Sequence, residues 1–360
     1  MKSVYIHIPF CSSICSYCDF CKLFYNEQLV DKYLDILSEE IKEKYKYEEI
    51  KTIYIGGGTP TSLNIKQLTK LFEIIKIFNF KNIEYTIECN IENLTEEKID
   101  LFKKYGINRL SIGIQTFNEK NLKYLNRNHD GSVSKIINYA KEQGFDNINI
   151  DLIYGINDET IEILKEDLKL FLNLNVNHIS TYSIIIEPHT KLYIDKTLNI
   201  DDSIDSDMYN LIIETLENND FKHYEVSNFA KTGYESKHNL TYWNNEEYYG
   251  FGLSSSGYIN DIRYTNTRNI NKYLNKEFIF EEHILDKLEQ MENEMILGLR
   301  KLEGVDMVLF EKKYNIKINE VFKTQKLLEE GKLVIKDNYI FINKEYIYLS
   351  NDILINFIGD

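Results

Sequence analysis

The chain has 360 residues and a formal net charge of -15, from 42 Lys and Arg against 57 Asp and Glu. That acid excess disfavours nucleic acid, whose phosphates need a basic face, and anionic membrane surfaces. With 43% hydrophobic and 28% charged residues, the chain has the apolar content for a main domain of roughly 200–250 residues plus a smaller one, and no run of about 18 apolar residues marks a membrane helix.

In chain order, the first residues, Met1 to Phe10, read as a buried strand rather than a secretory signal. The expected location is therefore the cytoplasm, where thiols stay reduced. Apolar alternation predicts strands over 3–8, 52–55, 83–88, 109–112, 147–153 and 178–184. Helical periodicity fills the gaps, over 27–45, 65–78, 95–104, 133–143, 159–172 and 206–218, with Asn64, Asn93 and Asp158 as candidate caps. Strand and helix in regular alternation imply a parallel sheet, open or a partial barrel. The pattern changes near Phe221: residues 221–283 are rich in Tyr and Asn and read as irregular structure with short strands packed on the sheet. From Leu285 three helices precede a hairpin, 332–336 and 339–343 about Asp337-Asn338, the outline of a small winged-helix-like module.

Four of the five cysteines, Cys11, Cys15, Cys18 and Cys21, follow the first strand as Cys-x3-Cys-x2-Cys-x2-Cys. Thiolates are soft ligands for zinc or iron–sulfur clusters. A structural zinc site uses two knuckles separated by a long loop, and here no second pair exists, since Cys89 stands alone. One compact loop suits an iron–sulfur cluster better.

Tyr5-x-His7-Ile8-Pro9-Phe10-Cys11-x3-Cys15-x-Tyr17-Cys18-Asp19-Phe20 resembles the radical S-adenosylmethionine (SAM) enzymes. Within them it resembles the oxygen-independent coproporphyrinogen III oxidase group, and most of all its heme-chaperone branch. The resemblance implies an α/β fold, a partial (β/α)6 barrel, with a core over 1–220, an extension packed on it over 221–284 and a C-terminal helical, winged-helix-like domain over 285–360. It implies a [4Fe–4S] cluster on Cys11, Cys15 and Cys18, with SAM on the remaining iron. One electron from such a cluster cleaves the sulfonium to methionine and a 5′-deoxyadenosyl radical.

The same resemblance assigns cofactor-binding roles along the chain. Tyr5 belongs to the motif, and Tyr17 packs near the adenine. Gly56-Gly57-Gly58-Thr59-Pro60 is similar to the family's glycine loop, whose backbone, through Gly57, Gly58 and Thr59, holds the SAM amino group. Glu88 matches a SAM-bonding carboxylate, and Gln115, Arg127 and Asp151 occupy SAM-contacting positions, with Arg127 suited to a carboxylate. His129 and Tyr182 stand nearby in the order of the chain. Tyr224–Phe229 and His238-Asn239-x-x-Tyr242-Trp243 are similar to two further family blocks. His238 is a candidate heme ligand, with packing as its plainer role.

The implied function is heme binding and transfer. The rivals are oxidative decarboxylation of coproporphyrinogen III and electron transfer by a cluster without SAM. The implied partners are heme or a porphyrin, an electron donor such as flavodoxin or ferredoxin, and a heme-acceptor protein. Four departures matter. Phe20 stands where the oxidases carry a fourth cysteine, and their longer N-terminal segment is missing. Leu253-Ser254-Ser255-Ser256-Gly257 replaces a histidine-containing stretch. Cys21 is unusual for either branch: an inert thiol, a redox-labile one, or a fourth iron ligand.

Overall fold

The computed structural model describes residues 1–129 and 131–359. Six parallel strands form the centre: β1 (Lys2–Ile8), β2 (Glu49–Gly57), β3 (Asn79–Asn90), β4 (Arg109–Gln115), β5 (Asn147–Tyr154) and β6 (His178–Ser183). They lie side by side in chain order, each joined to the next by helical crossovers. Right-handed crossovers between strands in sequential order set the helices on one face, and the strands alternate accordingly: in β4, Leu110, Ile112 and Ile114 share one face and Arg109, Ser111 and Gly113 the other. β4 is buried at all seven positions.

The crossover helices show why these segments fold as they do. α1 (Glu27–Lys44) buries Val30, Tyr33, Leu34, Leu37 and Ile41, the spacing of one helical face, and Asn26 caps it by accepting from the Leu29 amide. α2 (Ile65–Ile75) opens on the expected Asn64, in a reciprocal capping box with Gln67. Two other caps are displaced. Thr95, not Asn93, caps α3 (Glu96–Lys104), because Asn93 ends a short 3-10 turn. After α4 (Glu119–Leu125) and α5 (Val133–Glu142), Thr160 rather than Asp158 caps α6 (Ile161–Asn173), and Asp158 sits in the left-handed region at φ 63. α7 (Asp202–Glu217) starts at an Asp201 cap.

The Tyr- and Asn-rich segment continues this same sheet at both edges. β7 (Lys222–Glu225) and β8 (Asn228–Ala230) extend it beyond β6, with β8 antiparallel to both neighbours. β9 (Tyr248–Phe251) pairs parallel with β1, and β10 (Ser256–Ile259), β11 (Ile262–Asn266) and β12 (Ile279–Ile284) follow antiparallel. The result is one 12-stranded sheet whose two edges do not pair with each other among the described residues. A buried carboxylate fastens the added strands to the core. Glu40 of α1 accepts from Tyr273 Oη (2.7 Å), Asn266 Nδ2 (2.6 Å), the Gly252 amide (2.8 Å) and Lys44 Nζ (2.9 Å). A buried charge is tolerated only when paired and saturated in this way.

α8 (Lys237–Trp243) lies between β8 and β9, and the C-terminal region holds α9 (Lys287–Gly298), α10 (Met307–Tyr314) and a three-stranded sheet. The hairpin stands where expected. Leu333–Lys336 pairs with Tyr339–Ile342 across Asp337 (φ 48) and Asn338 (φ 69), the two left-handed residues of a tight hairpin turn. Among the described residues, no helix is long and apolar enough to cross a membrane.

Candidate functional site

A cavity of about 500 Å3 opens at the carboxyl ends of the parallel strands, where α/β folds place ligands. It gathers most of the residues singled out in the sequence. Cys11, Cys15, Cys18 and Tyr17 line one side, Gly57, Gly58 and Thr59 the floor beside them, and Glu88, Gln115, Arg127, Asp151 and Tyr182 the rest.

The cysteine loop is built from the end of β1. Phe10–Cys11 pairs with Leu23–Phe24, so the loop leaves and returns at one point. The amides of Gly58 and Thr59 donate to the carbonyls of Ile8 and Phe10, both at 2.9 Å, which lays the glycine loop along the cysteine loop. Gly58 allows this approach: a Cβ there would stand 2.9 Å from Cys11 Sγ and 2.9 Å from the Pro9 carbonyl carbon. Thr59 Oγ1 donates to Cys11 Sγ at 3.5 Å. Burial pushes the Cys11 thiol up to about 11 and raises that of Cys18. Such thiols ionise when a metal cation compensates the charge.

Glu88 fills the space above Gly56, where a Cβ would meet its carboxylate at 2.9 Å. Tyr54 Oη donates to one carboxylate oxygen (2.8 Å) and the Gly57 amide to the other (3.0 Å). Burial nonetheless pushes the carboxyl up to about 7, with Asp151 adding to the rise. Parallel register brings Glu88 beside Ser111 and Gly113 beside Asp151. Asp151 accepts from Asn149 Nδ2 at 2.8 Å, and burial raises its carboxyl as well. A register shift after Gly113 puts Gln115 at φ 75, in the left-handed region, and the side chains of Gln115, Arg127 and Asn90 converge above Gly113. Strained non-glycine backbone of this kind concentrates at functional sites.

Arg127 is the most telling group. Its side chain is 8% exposed; Nη2 donates to Tyr17 Oη at 3.2 Å, and Nη1 stands 3.5 Å from Glu92. Nε and Nη1 have no hydrogen-bond partner among the described residues. A buried guanidinium with unused donors beside a cavity is suited to a carboxylate.

Four expected residues lie elsewhere. Tyr5 stands one layer behind the cavity, its hydroxyl on His7 Nδ1 at 3.0 Å. His7 Nε2 in turn holds the Cys21 carbonyl at 2.9 Å, so the pair anchors the end of the cysteine loop rather than touching the cavity. His238 is corrected from candidate ligand to packing residue. It is 1% exposed, Nδ1 bonds Thr52 Oγ1 and Nε2 bonds Tyr242 Oη, both at 2.7 Å, and its ring stacks on Tyr54. Neither nitrogen is free for iron. Cys21 Sγ points away from the other thiols, toward the Arg268 carbonyl at 3.8 Å, and it does not line the cavity. His129 bonds the Thr116 carbonyl. Sequence reading missed Tyr54, Asn90 and Ser111. Their signal was register: Tyr54 shares a face with Gly56, and Asn90 with Glu88.

Comparison with known proteins agrees with this geometry. Residues 5–171 match the radical SAM superfamily and residues 285–346 the HemN C-terminal domain. The heme chaperone HemW of Lactococcus lactis subsp. lactis (strain IL1403) is 39% identical, covering 100% of this chain and 98% of the relative. HemW of Bacillus subtilis (strain 168) is 38% identical, covering 100% of both. The solved structure of coproporphyrinogen III oxidase (HemN) from Escherichia coli matches in fold, with a TM-score of 0.89 over 99% of this chain and 89% of that one, at 24% identity.

The radical SAM superfamily implies a [4Fe–4S] cluster and SAM. The residues present fit both. Three thiols share one cavity wall, and among the described residues no three Cys, His, Asp or Glu side chains converge as a single-ion site demands. A cube gives each thiolate its own iron and needs no such convergence. The Arg127 guanidinium and the Glu88 carboxylate line the same cavity, matching an amino acid's two charges. In its cysteine motif, its parallel-sheet cavity and its similarity from end to end, this chain belongs to the HemW family of radical SAM proteins.

Proposed function

We propose that this protein is a cytoplasmic heme chaperone that binds heme and passes it to an acceptor protein. The observation that carries the reading is the full-length similarity to relatives named heme chaperones. Phe20 supports it: where the resemblance to the oxidases calls for a fourth cysteine, a phenylalanine stands 64% exposed at the cavity rim.

In this reading Cys11, Cys15 and Cys18 hold the [4Fe–4S] cluster. The Gly57–Thr59 backbone and Glu88 receive the amino group of SAM, Arg127 its carboxylate, and Tyr17 packs by the adenine. Gln115 and Asp151 complete the contacts. The cluster with SAM supplies one-electron cleavage of the sulfonium bond when a donor such as flavodoxin or ferredoxin reduces it. The protein's own part is orientation and exclusion of water. Residues 1–220 serve as the core for this, 221–284 as the extension and 285–360 as the C-terminal domain.

The test is titration of the anaerobically reconstituted protein with heme. A saturable Soret band is expected, and its absence refutes the reading. Incubation of the reduced protein with SAM and coproporphyrinogen III is expected to leave the substrate unchanged; protoporphyrinogen among the products makes it an oxidase instead.

A further inference from the structure

The chain contains seven histidines. Six have a ring nitrogen engaged inside the protein: His7 with Tyr5 and Cys21, His129 with Thr116, His178 with Asn149 and Tyr224, His223 with Val226, His238 with Thr52 and Tyr242, and His283 with Glu289. Among the described residues, His189 alone has no hydrogen-bond or ion-pair partner for its imidazole. It follows Pro188, is exposed, and has a left-handed backbone at φ 70, which is uncommon for a residue with a side chain.

His189 lines a groove of about 390 Å3 with Phe20, Cys21, Lys22 and Arg268. The groove lies at the rim of the cysteine-lined cavity, and the two share Asp19, Phe20, Lys22 and Glu187. Phe20 offers an aromatic face to solvent, and neighbouring Ile185, also 64% exposed, extends the apolar rim. Lys22 Nζ bonds the Cys18 carbonyl, and Arg268 Nη2 bonds that of Asp19 at 3.3 Å, with the Cys21 thiol beside the guanidinium. Neither is paired with a carboxylate among the described residues.

We propose that heme docks in this groove, with His189 on the iron, the macrocycle against Phe20 and the propionates toward Arg268 and Lys22. This rests on the heme-chaperone reading and gives it a site. Each part of the ligand meets its chemical complement. A free imidazole is a common axial ligand. A flat apolar ring gains by covering an exposed aromatic face. Two propionates match two cations without carboxylate partners. Asp19 and Glu187 keep the groove from being broadly basic, so the anionic edge is directed to Arg268 and Lys22 rather than attracted at large. An open groove also suits a cargo that must leave. Iron bound there lies next to the SAM cavity yet separate from it.

The test uses full-length protein with its cluster reconstituted, titrated with hemin. His189→Gly keeps the backbone conformation and removes only the ligand. It is expected to shift the Soret maximum and to weaken binding by at least about tenfold, the scale on which metal-site residues act, with added imidazole restoring the band. Arg268→Gln is expected to weaken binding with the Soret position unchanged. If wild type binds no hemin, the chaperone reading itself fails. If wild type binds hemin and His189→Gly matches it in spectrum and affinity, this site is overturned while the chaperone reading stands.

Discussion

Adding a methyl group at either end of the glycine loop has opposite consequences for the two cofactors. In Gly58→Ala the new Cβ lies 2.9 Å from Cys11 Sγ, 2.9 Å from the Pro9 carbonyl carbon and 3.1 Å from the Phe10 amide nitrogen. Carbon normally sits about 3.5–4 Å from such neighbours, so Sγ or the backbone must move by more than half an ångström. The Pro9–Phe10 backbone is tied to the loop through Phe10 and Leu23, leaving the thiol to shift. Metal–ligand distances tolerate only about 0.2 Å, and the overpacking itself costs about 1–3 kcal/mol. Gly56→Ala meets only the far end of the Glu88 side chain, which can swing aside. It then loses its bonds to Tyr54 and Gly57. Iron and sulfide content after anaerobic reconstitution, with the electron paramagnetic resonance response to SAM, separates the two. Gly58→Ala is expected to lose most of its iron. Gly56→Ala is expected to keep its iron and lose the SAM response. Equal iron content in both variants refutes the reasoning.

Glu88 makes SAM binding pH-dependent: its carboxyl, pushed up to about 7 by burial, must ionise to pair with an ammonium group. Affinity therefore rises as pH increases through that value, and Glu88→Gln flattens the curve; an equally steep curve in the variant contradicts this assignment. Arg127→Met, which retains bulk, is expected to weaken SAM binding by ~30-fold, from the loss of about 2 kcal/mol in charge-assisted hydrogen bonding, with the iron content intact. Calorimetry on the reconstituted protein measures this, and unchanged affinity removes Arg127 from the site. Glu40→Ala takes the acceptor from the buried Tyr273 hydroxyl and Gly252 amide and is expected to cost about 3 kcal/mol in denaturant unfolding; a loss below about 1 kcal/mol means the extension is held by apolar packing instead.

The parallel sheet was legible because local and global signals agree there. Strands such as β4 carry an apolar residue at every second position, Leu110, Ile112 and Ile114, and helices such as α2 begin at an Asn-x-x-Gln box. The hairpin at Asp337-Asn338 was legible for the same reason: both residues tolerate the left-handed region. The outer strands were not. β12 is exposed at all six positions, and β10 is four residues long, so neither carries a burial rhythm. Both pair with β11, whose Asn266 is tied to Glu40, a contact more than two hundred residues away in sequence. In the site, the thiols were legible because cluster ligation requires one residue type at close spacing. His238 misled because one partner, Tyr242, stands a helical turn away while the other, Thr52, is reached only through the fold. Groups defined by absence, such as the unused donors of Arg127 or the free ring of His189, have no sequence signature at all.

The most direct test is the electron paramagnetic resonance spectrum of the reduced, reconstituted protein before and after SAM, in wild type and in Cys21→Ser. About four irons and four sulfides per chain, with a signal that SAM alters identically in both proteins, is the result expected of a cluster on Cys11, Cys15 and Cys18 with one iron open. Zinc in place of iron, or a SAM response that emerges only once Cys21 is replaced, contradicts it.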